Sequence, residues 1–440
     1  MNVDRVALPS GYSALARQKQ SRFIGWAGSA AILILLVAAS NVGAWVEDLP
    51  VGRLLVRSLW CLLYIGVFLR LVQRFGAAWL AWMTRRQTGL CLLLGWALLS
   101  SLWSMAPLET AQKSLSLVGT TVLGVYIGCA LPPALVARVL RWSFAVVILS
   151  SLLGIALLPE SIVVEPLTGE WRGLMCHKNS FGAMAAFAAL FFLATVFRGD
   201  DSRWEKAMCT VCLLALVATR SRTALVACMV GVGTLTWCAA MYDARRALRI
   251  GLLVLCVLGA AGFVGRHGHQ GADGAAGEPA AADLTFGSNA TINGRTTLWA
   301  GALQIIGERP LTGFGYDAVW GRKEHTLLPH IPITAHRSAI NAHNAVLNTA
   351  TELGVPAAVL LAAYCLTVLL HALRFHKRHA SSFSLFVVAF VVASAAMSIT
   401  ESTMLQVHSV FWILFVASAV MLERSPTALG DSEISTTKWQ

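Results

Sequence analysis

The sequence predicts an all-α polytopic membrane protein of about twelve transmembrane helices, with one large loop outside the bilayer. Three observations carry that expectation. Hydrophobic residues make up 57% of the chain and charged residues only 13%, against about 25% charge in a soluble domain. Mean hydropathy is +0.66, and apolar runs long enough to cross a hydrocarbon core recur between short basic loops. A polar stretch from near residue 266 to His343 interrupts them once.

Taken in order, residues 1–22 are polar and basic and lead into apolar sequence without a convincing cleavage site. A tail is therefore expected there, not a cleaved signal. Apolar windows then predict spans near 23–45, 52–72, 88–106, 112–131, 140–158, 179–198, 205–220, 223–242 and 249–265. The long loop occupies 266–352, three further spans fall near 353–373, 382–402 and 405–422, and 423–440 forms a second tail. The cysteines lie almost entirely inside apolar runs, so they imply no disulfide framework; Cys209-x-x-Cys212 reads as small apolar filler within a span.

The formal net charge of +12 would suit a nucleic-acid partner, but its placement argues otherwise. Arg17, Lys19, Arg22, Arg70, Arg74, Arg85, Arg86, Arg138, Arg141, Arg245, Arg246, Arg374 and Lys377 collect on one side of the predicted spans. That is the positive-inside pattern, and it sets both tails in the cytoplasm and the long loop outside. No nucleic acid is expected; membrane lipid is.

Basic residues on the outer face run against this bias. Arg53, Arg57 and Lys113 at span ends read as snorkelling side chains. The others sit in local motifs. The loop Glu170-Trp171-Arg172-Gly173-Leu174-Met175-Cys176-His177-Lys178-Asn179-Ser180 enters the sixth span. Asn179 or Ser180 would cap that helix, leaving His177 and Lys178 at its positive end, a place that suits phosphate oxygens. A plain polar loop entering a membrane helix reads the same way. Arg220-Ser221-Arg222-Thr223 makes a tight outer turn whose two guanidinium forks suit phosphate groups, of a substrate or of lipid.

Within the long loop, residues 266–290 are Gly/Ala-rich, with His267 and His269 lacking further ligands at zinc-like spacing. From Asn293 a helix is expected, with Leu298, Trp299, Ala302, Leu303 and Ile306 on one side and Arg295 near its start. Pro310 and Gly313-Phe314-Gly315 end it. His325, His330, His336 and Arg337 precede His343-Asn344, and a second amphipathic helix runs through Leu347 and Glu352 to Gly354. Such helices suit the membrane interface. Glu401, near the outer end of the eleventh span, is either a functional carboxylate or the partner of a buried Arg, and structural pairing is the expectation.

These motifs together resemble the O-antigen ligase/polymerase superfamily of bacterial envelope proteins. The matching elements are His177-Lys178-Asn179, Ser221-Arg222-Thr223, Gly294-Arg295 with Leu298-Trp299, Pro310-Leu311-Thr312-Gly313-Phe314-Gly315, and His343-Asn344 ahead of Gly354. The resemblance implies a C-type glycosyltransferase of the Gram-negative inner membrane, working at the periplasmic face. Its expected donor is an O-antigen glycan on undecaprenyl diphosphate, and its expected acceptor is the lipid A-core oligosaccharide.

On that basis Arg222 and Arg295 are expected to face the diphosphate, supported by Arg220, Arg172, Lys178, His177 and Asn179. His343 is expected to take the acceptor proton, with Asn344 or Glu352 orienting it. No Asp-x-Asp element lies outside, and Glu47-Asp48 reads as a span cap. Transfer without a metal or other cofactor is expected, with inversion at the anomeric carbon implied by the resemblance. An O-antigen polymerase, a protein O-oligosaccharyltransferase and, in a different class, a flippase or transporter are the competing readings. Ionisable residues gathered at one face, away from the midplane, argue against transport.

Overall fold

The computed structural model describes residues 50–76, 78–159, 163–164, 170–175, 177–267, 292–320 and 341–423. The first expected span, Glu47-Asp48, both tails, His269, Arg322, Lys323, His325, His330, His336 and Arg337 lie outside them. The described chain is helical. The helices are α1 (Pro50–Phe75), α2 (Ala78–Arg86), α3 (Thr88–Leu99), α4 (Pro107–Ala130), α5 (Pro133–Leu157), α6 (Lys178–Arg198) and α7 (Arg203–Ala218). They continue with α8 (Arg222–Ala240), α9 (Ala244–His267), α10 (Ile292–Glu308), α11 (Ala345–Leu353), α12 (Val355–Arg378), α13 (Ser382–Ser398) and α14 (Val410–Leu422). A lone antiparallel bridge, Val164 with Trp171, is the β pairing among the described residues.

Six of these helices are long and apolar enough to cross a membrane, and three apolar segments are shorter: Thr88–Leu102, Ser382–Ser398 and Val410–Leu422. The architecture is that of an all-α, multi-pass membrane protein. The short segments correct the expected spans 88–106, 382–402 and 405–422. The eleventh stops at Ser398, where the Ser398 hydroxyl bonds back to Ser394 O at 2.8 Å and to Thr403 at 3.0 Å. Side-chain bonds of this kind compete with the helical ladder, and Glu401 consequently lies in the connection beyond α13. Residues 78–86, expected as loop, form α2, which buries Trp79 and Met83.

The helix α6 forms the centre of the bundle, and almost every residue from Phe181 to Thr195 is buried. A helix apolar on all sides belongs inside, and α6 packs on α5, α7, α8 and α13. Its alanines leave room for Phe187 and Phe191, which meet Phe390 and Phe386 of α13 edge-on. On the other side α4 lies against α14 through Gly124 and Gly128. A Cβ at either glycine would fall 2.8 Å from a backbone oxygen of α14, of Ile413 and Ala417 respectively. Small residues four apart permit this backbone approach, and Trp412 Nε1 donates to Thr121 Oγ1 at 2.9 Å across the same contact.

Charged residues gather at the helix ends. At the C-terminal end of α6, Gly199 (φ 78°) closes the helix and Asp201 pairs with Arg246 and Lys206. The N-terminal end of α6 meets the start of α8, and Glu401 links it to Arg295 of α10 and to His343 before α11.

The expected loop helices are present as α10 and α11. The buried face of α10 is Leu298, Ala302 and Ile305, packed with Phe314, Val319, Trp320 and Ala342 in a small core of its own. Leu303 was expected on that face but is 59% exposed. Between the two helices the Pro310–Gly315 segment clasps the end of α11. Phe314 N–H donates to Thr351 O at 3.1 Å, Gly315 N–H to Glu352 O at 2.8 Å, and Val355 N–H to Pro310 O at 2.7 Å. Gly313 (φ 62°) sits where a Cβ would come within 2.4 Å of the Glu352 carbonyl, so the motif seen in sequence acts through its backbone. Trp96 and Trp103 anchor the clasp through Leu353 O and Thr312 O.

Candidate active site

At this end of the bundle three segments converge on one carboxylate, and the start of α8 joins them through Asn179 and Arg295. Glu401 Oε1 accepts from Arg295 of α10 at 2.9 Å and from Asn179 Nδ2 of α6 at 2.8 Å. Its other oxygen, Oε2, lies 3.1 Å from His343 Nδ1. Asn179 Oδ1 in turn accepts from Ser221 Oγ at 2.8 Å, and Arg295 reaches Thr223 Oγ1 at 3.3 Å. Thr400 donates to Thr223 at 3.2 Å. The pairing expected of Glu401 is present, and the same carboxylate also holds His343.

Local sequence explains each placement. His177 is the N-cap of α6, its Nδ1 accepting from Asn179 N–H at 3.1 Å, which corrects the expectation that Asn179 or Ser180 caps the helix. Asn179, inside the first turn, is thereby free to face Ser221 and Glu401. Ser221 caps α8 by accepting from Ala224 N–H, so the starts of α6 and α8 are adjacent. Asn344 caps α11, accepting from Val346 and Leu347 N–H at 3.0 and 2.9 Å, while its Nδ2 donates to Ile399 O at 3.0 Å. This ties α11 to the segment that carries Glu401. His343 is left-handed (φ 47°) immediately before that cap.

An ionised carboxylate only accepts hydrogen bonds. The contact with Glu401 therefore puts the proton of a neutral His343 on Nδ1 and leaves a lone pair on Nε2. Burial alone would raise the Glu401 carboxyl. The hydrogen bond and charge of His343, with Arg295 and His177, outweigh it and hold Glu401 below the ordinary glutamate value.

Of the residues singled out in sequence, His343, Arg295, Asn179 and Asn344 come together around Glu401. Arg222 is exposed at the first turn of α8 next to Thr223, and Arg220 is exposed and left-handed (φ 50°) in the preceding turn. Lys178 does not face this cluster freely: it pairs with the buried Glu170. Arg172 belongs to the same loop, its N–H donating to Val163 O at 2.9 Å. Glu352 is buried beneath the site and bonds to Asn348 Nδ2 at 2.9 Å. Burial, then the charge of Asp317, pushes its carboxyl up, and Asn348 links it to Ala342, the residue before His343.

Glu401, Ser221, Thr223 and Thr400 escaped the sequence-based site. One signal pointed to Glu401: it is the sole Asp or Glu between Ser382 and Leu422.

The described residues form a helical bundle of the multi-pass membrane class with a His–carboxylate–Arg cluster at one end. Residues 207–362 match the family model described as O-antigen ligase, a stretch that includes Ser221, Arg222, Arg295 and His343. The chain is also 26% identical over 282 residues to the exopolysaccharide production protein ExoQ of Rhizobium meliloti (strain 1021), covering 62% of this chain. This chain spans about 62% of the length of that relative. Both matches are similarities over part of the chain, the family model over residues 207–362 and the relative over 282 residues.

Proposed function

We propose that this end of the bundle transfers a glycan from undecaprenyl diphosphate to a sugar hydroxyl, as an O-antigen ligase acting on the lipid A-core oligosaccharide. The observation that carries the reading is the 3.1 Å contact of His343 Nδ1 with Glu401. It leaves Nε2 to accept the hydroxyl proton while the oxygen attacks the anomeric carbon. As the carbon–oxygen bond to diphosphate breaks, negative charge grows on the leaving group. Arg222 and Arg220 are exposed on the same side, and the N-terminal ends of α6 and α8 lie together there. Arg295 is committed to Glu401, so its first role is to fix the carboxylate.

In this reading residues 266–352 form a periplasmic catalytic loop between spans within 23–265 and 353–422, in the Gram-negative inner membrane with both tails cytoplasmic. An impermeant thiol reagent applied to cells with permeabilised outer membranes should label a cysteine introduced near residue 275. One introduced near residue 376 should react only after the inner membrane is opened. The reverse pattern rules out this orientation. Transfer is metal-independent, so purified protein should retain activity in EDTA.

The decisive assay is the lipopolysaccharide of a deletion strain. Core lacking O-antigen, with lipid-linked polymer accumulating, is expected of a ligase. Core bearing single repeats identifies a polymerase, and a normal ladder overturns both. The name of the relative favours one second reading, polymerisation of exopolysaccharide repeats by the same chemistry with a lipid-linked glycan as acceptor. Loss of high-mass exopolysaccharide with an intact lipopolysaccharide ladder would select it.

A further inference from the structure

Beneath the proposed base, the Asn348 side chain joins two groups, the backbone of Ala342 and the carboxyl of Glu352. It is buried one turn into α11. Its Oδ1 accepts from Ala342 N–H at 3.1 Å, and its Nδ2 donates to Glu352 Oε1 at 2.9 Å. The amide has one orientation that satisfies both partners, since a flip would set oxygen against carboxyl and N–H against N–H. The carbonyl of Ala342 meanwhile accepts from Trp299 Nε1 of α10 at 3.1 Å. Ala342 is thus held from above and below, and it is the residue immediately before His343.

His343 needs such support. Its φ of 47° is left-handed, a conformation that disfavours a residue with a Cβ and persists only where the surroundings over-determine it. The His343 N–H is held by Asn341 Oδ1 at 2.8 Å, and Asn344 starts the helix on the other side. Asn348 adds the tie that connects this strained turn to the buried end of α11. There Glu352 is itself fixed by the backbone of Asp317, with Lys113 and Tyr316 nearby.

We infer that Asn348 is a positioning residue: through Ala342 it holds His343 in the left-handed conformation that aims Nδ1 at Glu401. The inference rests on the reading of His343 as the base, and it predicts an outcome that can be read without activity.

The variants are Asn348→Leu, of similar volume, and the exchange Asn348→Asp with Glu352→Gln. In the exchange an Asp oxygen still accepts from Ala342 N–H, and the Gln amide donates to the other, so the tie is rebuilt with its sense reversed. In monodisperse protein, Asn348→Leu should lower kcat on the order of 10²-fold, as a small misplacement of a reacting group does, with the donor KM little changed. The exchange should recover most of that loss. In ¹⁵N-histidine spectra, with the His343 signal assigned from His343→Ala, Asn348→Leu should shift the Nδ1 resonance and the exchange should return it.

An unshifted His343 resonance in well-folded Asn348→Leu overturns the inference, and so does an exchange variant no better than the Leu variant. If the resonance shifts and returns while His343→Ala keeps its turnover, the positioning role stands and the base reading falls.

Discussion

His343 Nδ1 and Glu401 Oε2 lie 3.1 Å apart although 58 positions separate them in the chain. One belongs to the end of a polar loop and the other to the connection after an apolar helix. Their meeting turns two polar residues remote in sequence into a hydrogen-bonded pair, with Arg295 and Asn179 on the opposite carboxylate oxygen.

Glu401→Gln tests that pair with little change of shape. The Gln oxygen can serve Arg295, but the amide then offers N–H to His343 Nδ1, favouring the tautomer with its proton on Nε2. Turnover should fall on the order of 10²–10⁴-fold while donor binding is largely kept. Single-turnover rates beside the affinity for a lipid-diphosphate analogue check it. Near-normal turnover removes Glu401 from the mechanism.

The same carboxyl sets a pH dependence of stability. Its folded value lies below the reference 4.5 because His343, Arg295 and His177 outweigh burial. A depressed carboxyl contributes its full stabilisation above the unfolded value and loses it as pH falls through the folded one. Thermal melts in detergent should be flat in this contribution above pH 5 and decline below about pH 4.5. Glu401→Gln should flatten the acid limb, and an unaltered limb counts against the assignment.

The two arginines should separate. Arg222→Ala should weaken binding of a lipid-diphosphate analogue and leave the melting temperature nearly unchanged, with Lys a partial substitute because it lacks the planar fork. Arg295→Ala should lower turnover and also destabilise the fold by about 1–3 kcal/mol, since it strips a partner from a largely buried carboxylate. Identical behaviour of both variants contradicts the division of roles.

Backbone placement carries its own prediction. At Gly313 (φ 62°) a Cβ would meet the Glu352 carbonyl at 2.4 Å, whereas at Gly233 in α8 it would meet nothing within 4 Å. Gly313→Ala should destabilise by roughly 1–3 kcal/mol or abolish folded yield, and turnover should fall with the displaced α11. Gly233→Ala should be neutral or stabilise by about 0.5–1 kcal/mol. Melting temperatures of the two variants, measured together, decide it.

The membrane class, the helices α10 and α11 and most of the residues around Glu401 were legible in sequence. Each depends on short-range rules. Apolar length marks α6 and α8, and a capping side chain marks the start of α11 at Asn344. Proline and glycine mark the break after α10. A residue whose role is set by neighbours within one or two helical turns can be read from those neighbours.

Tertiary structure decided the rest, because the deciding partners are remote in the chain. Lys178 looked available to an anion until the fold supplied Glu170 beside it. Packing sets Arg295, expected from sequence at the diphosphate, against Glu401, 106 positions away. Glu352 looked like part of the site, but the clasp of Pro310–Gly315 over α11 buries it one layer below. Helix phase and the close approach of α4 to α14 and α6 to α8 determine which polar groups meet. Those depend on the fit of many side chains at once, and no local pattern in one sequence encodes that fit.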